Sequence, residues 1–256
     1  MNKRSTKKRK NEKYVEIFLL VCASISIVSV LFITIFIFQR GLPLFQKVGV
    51  FQFLFGTQWR PSDKANPSYG ILAFILGSIY VTFGALIIAV PIGLACGIFL
   101  AEIVKGRTGR ALKSMVELLA GIPSVIYGFF GIVTIAPITR TLFGGSGYSL
   151  LTASIVLAIM TLPTIISLSE VSIRAVPAEY KEGSYALGAT HTQTILRVLL
   201  PASKSGIIAG IVLGMGRAIG ETMAVLMVGG NSPQMPKGLT RGVRTLTMNI
   251  VPDMSY

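Results

Sequence analysis

Between residues 69 and 101 no side chain carries a formal charge. Roughly 20 apolar residues cross the hydrocarbon of a bilayer, where only helices and closed barrels satisfy their own backbone groups. The run is continuously apolar and too short for two spans and a turn, so one long, tilted helix is expected. Pro91 kinks it, and Gly93 and Gly97 allow close approach of another helix. Four further stretches read as spans, 17–38, 118–139, 149–169 and 205–230, the last holding Arg217 and Glu221. Only 13% of the residues are charged and 52% are hydrophobic, against about 25% charged in a soluble domain. The expected fold is an all-α integral membrane protein with five transmembrane helices.

The order of segments follows from where the charges fall. Residues 1–13 form a basic tail with Lys3, Arg4, Lys7, Lys8, Arg9, Lys10 and Lys13 against one acid, Glu12. The apolar stretch after it exceeds the roughly 7–15 residues of a signal-peptide core and lacks a small-residue cleavage site. Residues 14–38 therefore read as an uncleaved first helix. Residues 39–68 read as a mixed outer loop carrying Trp59, an interfacial anchor. The core, 69–230, contains a short basic loop at 102–117 and a span at 118–139 distorted by GIPSVIYGFFG. A glycine-rich turn at 140–148, a span containing Pro163 and a long polar loop at 170–204 follow. Residues 231–256 read as an outer segment broken by Pro233, Pro236 and Pro252. With the N-terminus inside, the inner segments hold seven, four and four basic residues and the outer ones four, one and three. That satisfies the positive-inside rule. The net charge of +14 is then an orientation signal and not a sign of nucleic acid. Cys22 and Cys96 lie inside apolar runs as packing residues, and no metal site or cofactor is expected.

Candidate functional residues are those that hydrocarbon tolerates badly. A charge at the centre of a spanning helix costs about 2.5–3.5 kcal/mol on insertion scales. On one continuous helix the four-residue spacing puts Arg217 and Glu221 on a common face. They read either as an internal ion pair or as part of a path for a charged solute. Gly206, Gly210 and Gly214 form a ridge for helix packing. Ser124 and Tyr127 offer hydroxyls in the distorted third span, to a solute or to neighbouring carbonyls. In the polar loop, Pro177 and Pro201 bracket Tyr185, Leu187, Ile195, Val198 and Leu199, a pattern of two short amphipathic helices. Gly188 supplies the turn between them, and His191 reads as a surface residue. Such an element is a docking surface for another protein. No G-x(4)-G-K-[ST] sequence occurs, so a P-loop for ATP is not expected in this chain.

The loop resembles a known pattern. Glu182, Gly188, Val198, Leu200 and Pro201 fall at the spacing of the EAA motif, E-A-A-x(3)-G-x(9)-I-x-L-P, of bacterial ABC importer permeases; Gly183, Ser184 and Val198 depart from it. LAGIPSVIYGFFG (119–131), LPTIISLSE (162–170) and GRAIGETMAVLMVGGN (216–231) resemble the phosphate-specific permeases, the last most of all the PstC-type subunit. The resemblance covers roughly 69–250. It implies the MetI-like, type I permease architecture in the bacterial cytoplasmic membrane. Six helices are then expected, and five are readable before the chain stops, which suggests a truncated product. It also implies a heterodimer with a PstA-type permease, two ATPase subunits that bind the ATP, and an extracytoplasmic phosphate-binding protein. Glu182, Gly183, Ser184, Ala186, Leu187, Gly188, Ala189 and His191, with Pro201 closing the motif, would then form the ATPase-coupling loop. Arg217 is expected to contact the anion, since a guanidinium fork bonds two oxygens, with Glu221 as its counter-charge and discriminator. Competing readings are a permease for sulfate, molybdate or a phosphonate, and a stand-alone secondary transporter or channel.

Overall fold

The computed structural model describes residues 3–63 and 65–253, with side chains described from Lys13 to Pro252 apart from Lys64. The individual side chains of the basic tail before Lys13, Lys64 and the chain end at Tyr256 thus lie outside the described residues. Among the described residues five helical stretches are long and apolar enough to cross a membrane: Lys13–Val48, Leu72–Ile103, Ser124–Phe143, Leu150–Arg174 and His191–Gly220. The chain divides into two units, Met1–Leu54 and Phe55–Tyr256, taken separately here.

The first unit contains α1 (Lys3–Val48) and most of α2 (Val50–Phe55). The expected outer loop at 39–68 is therefore mostly helical. Pro43 is accommodated inside α1, and the helix stops only at Gly49, whose φ of +78° belongs to the left-handed region that favours glycine. The apolar side chains of α1, among them Phe18, Leu31 and Phe38, are exposed. An apolar stretch of that length suits a lipid solvent.

The second unit begins with a two-residue hairpin, β1 (Trp59–Arg60) and β2 (Ser68–Tyr69), in which Trp59 packs edge-on against Tyr69 and Phe74. Next come α3 (Leu72–Ile98), extended by a π-helical turn (Phe99–Ile103), and α4 (Gly106–Ala120). The broken third span is α5 (Ser124–Phe130), a π-helical turn (Gly131–Ile135) and α6 (Ala136–Phe143). Helix α7 (Leu150–Arg174) is followed by the short α8 (Ala178–Ala186). The fifth span joins α9 (His191–Thr194), a π-helical turn (Ile195–Leu199) and α10 (Leu200–Gly220). Short helices α11 (Met223–Val228) and α12 (Leu246–Asp253) complete it.

Four expected boundaries shift. The basic loop at 102–117 is mostly α4, because Leu112, Met115, Leu118 and Leu119 alternate with Arg107, Arg110 and Lys113 at helical spacing. The third span starts at Ser124, since Pro123 ends the preceding turn and takes the N-cap position of α5. The inner loop shrinks to the stretch after Arg174, and the fifth helix begins at His191, where Thr190 and Gln193 form a reciprocal capping box. It ends at Gly220, short of the expected 230. Two of the π-helical turns stop two residues before a proline, Pro137 and Pro201. The wider turn falls where each proline's ring would strike the carbonyl four residues back, so both helices continue through it. Finally, residues 231–256 are not merely a polar outer segment. Val243 and Met248 are fully buried in the main core, and the Leu246 amide donates to Ser78 Oγ at 3.0 Å.

Helix α7 is the centre of this unit. Two glycine-bearing helices press on it from different sides. On α3, a Cβ at Gly93 would sit 2.7 Å from Ile165 Cγ2, and one at Gly97 would sit 2.7 Å from Ser169 Cβ. On α10, Gly206 lies against Ser172, Gly210 against Leu168 and Gly214 against Ile165. Ile165, wholly buried, is thus held between Gly93 and Gly214. The absence of side chains lets the backbones approach where burial of apolar surface supplies no drive between helices in lipid. At the other end of α7, Ser149 caps the helix, and Thr152 donates to the Gly147 carbonyl at 2.6 Å while sharing a 2.8 Å hydrogen bond with Thr139 of α6.

Candidate functional site

Arg217 and Glu221 do not form an ion pair. Helix α10 stops at Gly220, Glu221 is extended (φ −73°, ψ 127°), and no salt bridge joins the two among the described residues. The reason is local. Glu221 Oε1 accepts a hydrogen bond from the Ala224 amide at 3.0 Å, so the carboxylate satisfies an orphan donor at the start of α11. Its own carbonyl accepts from the Thr247 hydroxyl at 2.9 Å. The chain is therefore unwound at 221–222 between two helices and pinned there from both sides. Irregular backbone at membrane depth occurs where it is buried in protein or lines a cavity. Arg217, half-buried in the last turn of α10, is left without a hydrogen bond or ion pair among the described residues.

Tyr127 belongs to the same neighbourhood. Helix α5 packs on α11, with Gly128 against Ala224 and Met227, and Tyr127 shares the buried core with Ala218 of α10 and Ala224. The phenol donates to the Leu119 carbonyl at 2.7 Å, bridging the kink between α4 and α5. Ser124, one turn earlier on α5, is half-buried, and no hydrogen bond ties it to the other three. The structure brings Arg217, Glu221 and Tyr127 to one helix break; Ser124 shares only the helix of Tyr127.

The polar loop forms a helix–turn–helix. Glu182, Gly183, Ser184 and Ala186 lie on α8, Leu187 at its C-cap, and Gly188 turns the chain with φ +80°. Ala189 donates its amide to the Ser184 carbonyl, and the Ser184 hydroxyl shares a 2.9 Å hydrogen bond with Thr194. Pro201 sits in the first turn of α10. Leu187 is 91% exposed, with Tyr180 and Tyr185 exposed near it. A small protruding helix with an uncovered leucine at its tip is a surface awaiting a partner.

Of two carboxylates that the sequence left in loops, Glu102 holds this element and Glu170 joins α7 to α4. Glu102, nearly buried at the end of α3, pairs with Lys181 of α8 and lies 3.6 Å from His191 Nε2 at the start of α9. His191 is itself at the surface, with 48% of its side chain exposed. Glu170, 2% exposed, faces Arg174 Nε at 2.8 Å and Lys113 Nζ of α4 at 3.0 Å. Arg174 also donates to the Leu100 carbonyl at 2.7 Å. The only sequence signal was position: each is an acid at the charged end of an apolar run, followed by bases.

Five candidate spans, a helix break that leaves Arg217 without an ion pair among the described residues, and an exposed helix–turn–helix at the other end of the same helix make this a multi-pass membrane protein. Residues 93–250 match the family described as binding-protein-dependent transport system inner membrane component, and the chain belongs to that family. The probable ABC transporter permease protein YqgH of Bacillus subtilis (strain 168) is 44% identical over 238 residues, which cover 92% of this chain and 77% of YqgH. Phosphate transport system permease proteins PstC are similar too. That of Pasteurella multocida (strain Pm70) is 39% identical over 209 residues, 74% of this chain and 64% of its own length. That of Mesorhizobium japonicum is 37% identical over 220 residues, 78% and 66%. The chain thus spans about two thirds of the length of these PstC relatives. A solved inward-facing MetNI methionine ABC transporter shares the fold, with a TM-score of 0.55 at 22% identity over 72% of this chain and 87% of that one. The relatives are permeases, and this chain is a multi-pass membrane component of a transport system.

Proposed function

We propose that this chain is a permease subunit of an ATP-driven importer and forms the path for inorganic phosphate together with a second, PstA-type permease. Of two ATPase subunits, one docks on the α8–α9 element of this chain, an extracytoplasmic phosphate-binding protein delivers the anion, and the N-terminal tail lies in the cytoplasm. The PstC relatives supply the substrate class. The observation that carries the reading in this molecule is Arg217, a cation at the helix break with no acid within ion-pair distance.

Phosphate crosses with one or two negative charges, which hydrocarbon rejects. A half-buried guanidinium offers a bidentate fork and a fixed positive charge. Glu221 does not neutralise Arg217 at rest, but its Oε1 is committed to the Ala224 amide while Oε2 carries no hydrogen bond. An ionised oxygen there accepts from the proton that phosphate keeps and sulfate lacks. Uptake of radiolabelled phosphate by the reconstituted importer tests the reading. Arg217→Gln is expected to reduce uptake at least tenfold, the worth of about 1.4 kcal/mol, with the complex still assembled. Undiminished uptake overturns it.

A further inference from the structure

Where α3, α4 and α7 meet, on the same end of the molecule as α8, lies a pocket of about 560 Å³ that the transport reading does not use. It is lined by Lys105, Arg110, Lys113 and Arg174, with Glu170 as the one acid. Glu170 occupies Lys113 and the Nε of Arg174, while a second nitrogen of Arg174 is held by the Leu100 carbonyl. Lys105 and Arg110 are exposed and have no ion pair among the described residues. The first turn of α4 opens into the same pocket through Gly106 and Gly109, and its N-cap residue Lys105 makes no capping bond, so its amides are free as donors. Cations from two helices, a surplus of positive charge and uncapped amides together suit an anion with several oxygens.

Helix α4 also indicates the depth at which the pocket lies. Met115, Leu118 and Leu119 are exposed on a helix whose other residues carry Arg107, Arg110 and Lys113. An amphipathic basic helix of this kind lies in the interface plane, at the level of phospholipid phosphates.

We propose that this pocket binds a phosphate-bearing anion at the membrane surface, bracing α4 against α7 beside the Glu102–Lys181 contact. The chemistry is shared by an anionic phospholipid headgroup and by free inorganic phosphate, and the proposal is independent of what the importer carries. The test is acylation of Lys105, counted against exposed Lys204 by mass spectrometry, on the complete importer in nanodiscs. Discs of phosphatidylcholine alone, of phosphatidylcholine with phosphatidylglycerol, and of phosphatidylcholine with added phosphate are compared. Either anion, once at about ten times its Kd, slows Lys105 modification roughly tenfold. Protection by phosphatidylglycerol identifies a lipid site and protection by phosphate a free-anion site. Arg110→Gln, which removes no contact of the fold, abolishes the protection. No protection in either arm, protection that survives Arg110→Gln, or a Lys105 already unreactive in plain phosphatidylcholine each overturns the proposal.

Discussion

Gly97 is a tight point between α3 and α7 at which Cβ and backbone atoms face it, and replacing it by alanine tests how the core is held. The new Cβ would lie 2.7 Å from Ser169 Cβ, 3.2 Å from the Ile166 carbonyl oxygen and 3.3 Å from the Glu170 amide nitrogen. Carbon atoms pack best at about 3.5–4.0 Å, so the helices must separate by about 0.8 Å or more. No rotamer change relieves this, because the opposing atoms are a Cβ and backbone. Overpacking of this kind costs about 1–3 kcal/mol, against about 1 kcal/mol that alanine gains over glycine in a helix. Gly216→Ala on α10 is the matched control, since nothing lies within 4 Å of its Cβ position. The propensity gain is common to both, so the difference between the two variants isolates the clash. At about 2–4 °C per kcal/mol for a chain of this size, Gly97→Ala melts roughly 2–12 °C below Gly216→Ala in detergent. Equal or higher melting of Gly97→Ala would refute the close α3–α7 approach.

Glu102→Gln removes the charge that holds Lys181 and faces His191. The chain still folds, with a loss of about 1–3 kcal/mol, and the importer's ATP hydrolysis no longer rises when loaded binding protein is added. A normal rise shows that the contact is irrelevant to coupling. Glu221→Gln keeps the shape of the side chain and an acceptor for the Ala224 amide but loses the ionised oxygen. Sulfate competition against phosphate uptake is expected to increase by about tenfold, the worth of one charge-assisted hydrogen bond of about 1.5 kcal/mol. Unaltered sulfate exclusion removes Glu221 from substrate discrimination.

Uncharged length is a strong signal, so the five membrane-spanning stretches were readable from residues alone. What failed was continuity. Arg217 and Glu221 stand four apart, and a helical spacing argument assumes that the helix goes on. The Glu221 carboxylate instead caps the next helix, a choice decided by where the Ala224 amide and the Thr247 hydroxyl lie in three dimensions. Gly216 and Gly220, flanking Arg217, were the one local hint of a stop. At the other extreme, charge was mistaken for a loop. Residues 102–117 and Glu170 sit at span ends, yet α4 is a helix with an apolar side, and Glu170 is buried because Lys113 and Arg174 converge on it. The pairing with Lys113 spans more than fifty positions and leaves no trace in local pattern, whereas Arg174 stands only four residues on.

The fifth span now carries a different mechanical meaning. A single helical rod from His191 to Gly220 is about 45 Å long at 1.5 Å per residue. One end touches Glu102 through His191, and Arg217 rides on its last turn. The residue beyond the rod, Glu221, keeps its amide on the Ala218 carbonyl of α10 at 3.4 Å, while its carboxylate is fastened to α11 and its carbonyl, through Thr247, to the C-terminal segment. A shift of the docking helices that moves the rod along α7 therefore displaces Arg217 relative to Glu221 and Tyr127, since only Gly220 lies between the moving and the anchored parts. On one uninterrupted helix the two charges would travel together, and no such displacement would reach the anion. Continuity in space does not by itself demonstrate coupling. But a rod that ends beside its own break is an arrangement in which a loop movement changes the surroundings of a charge.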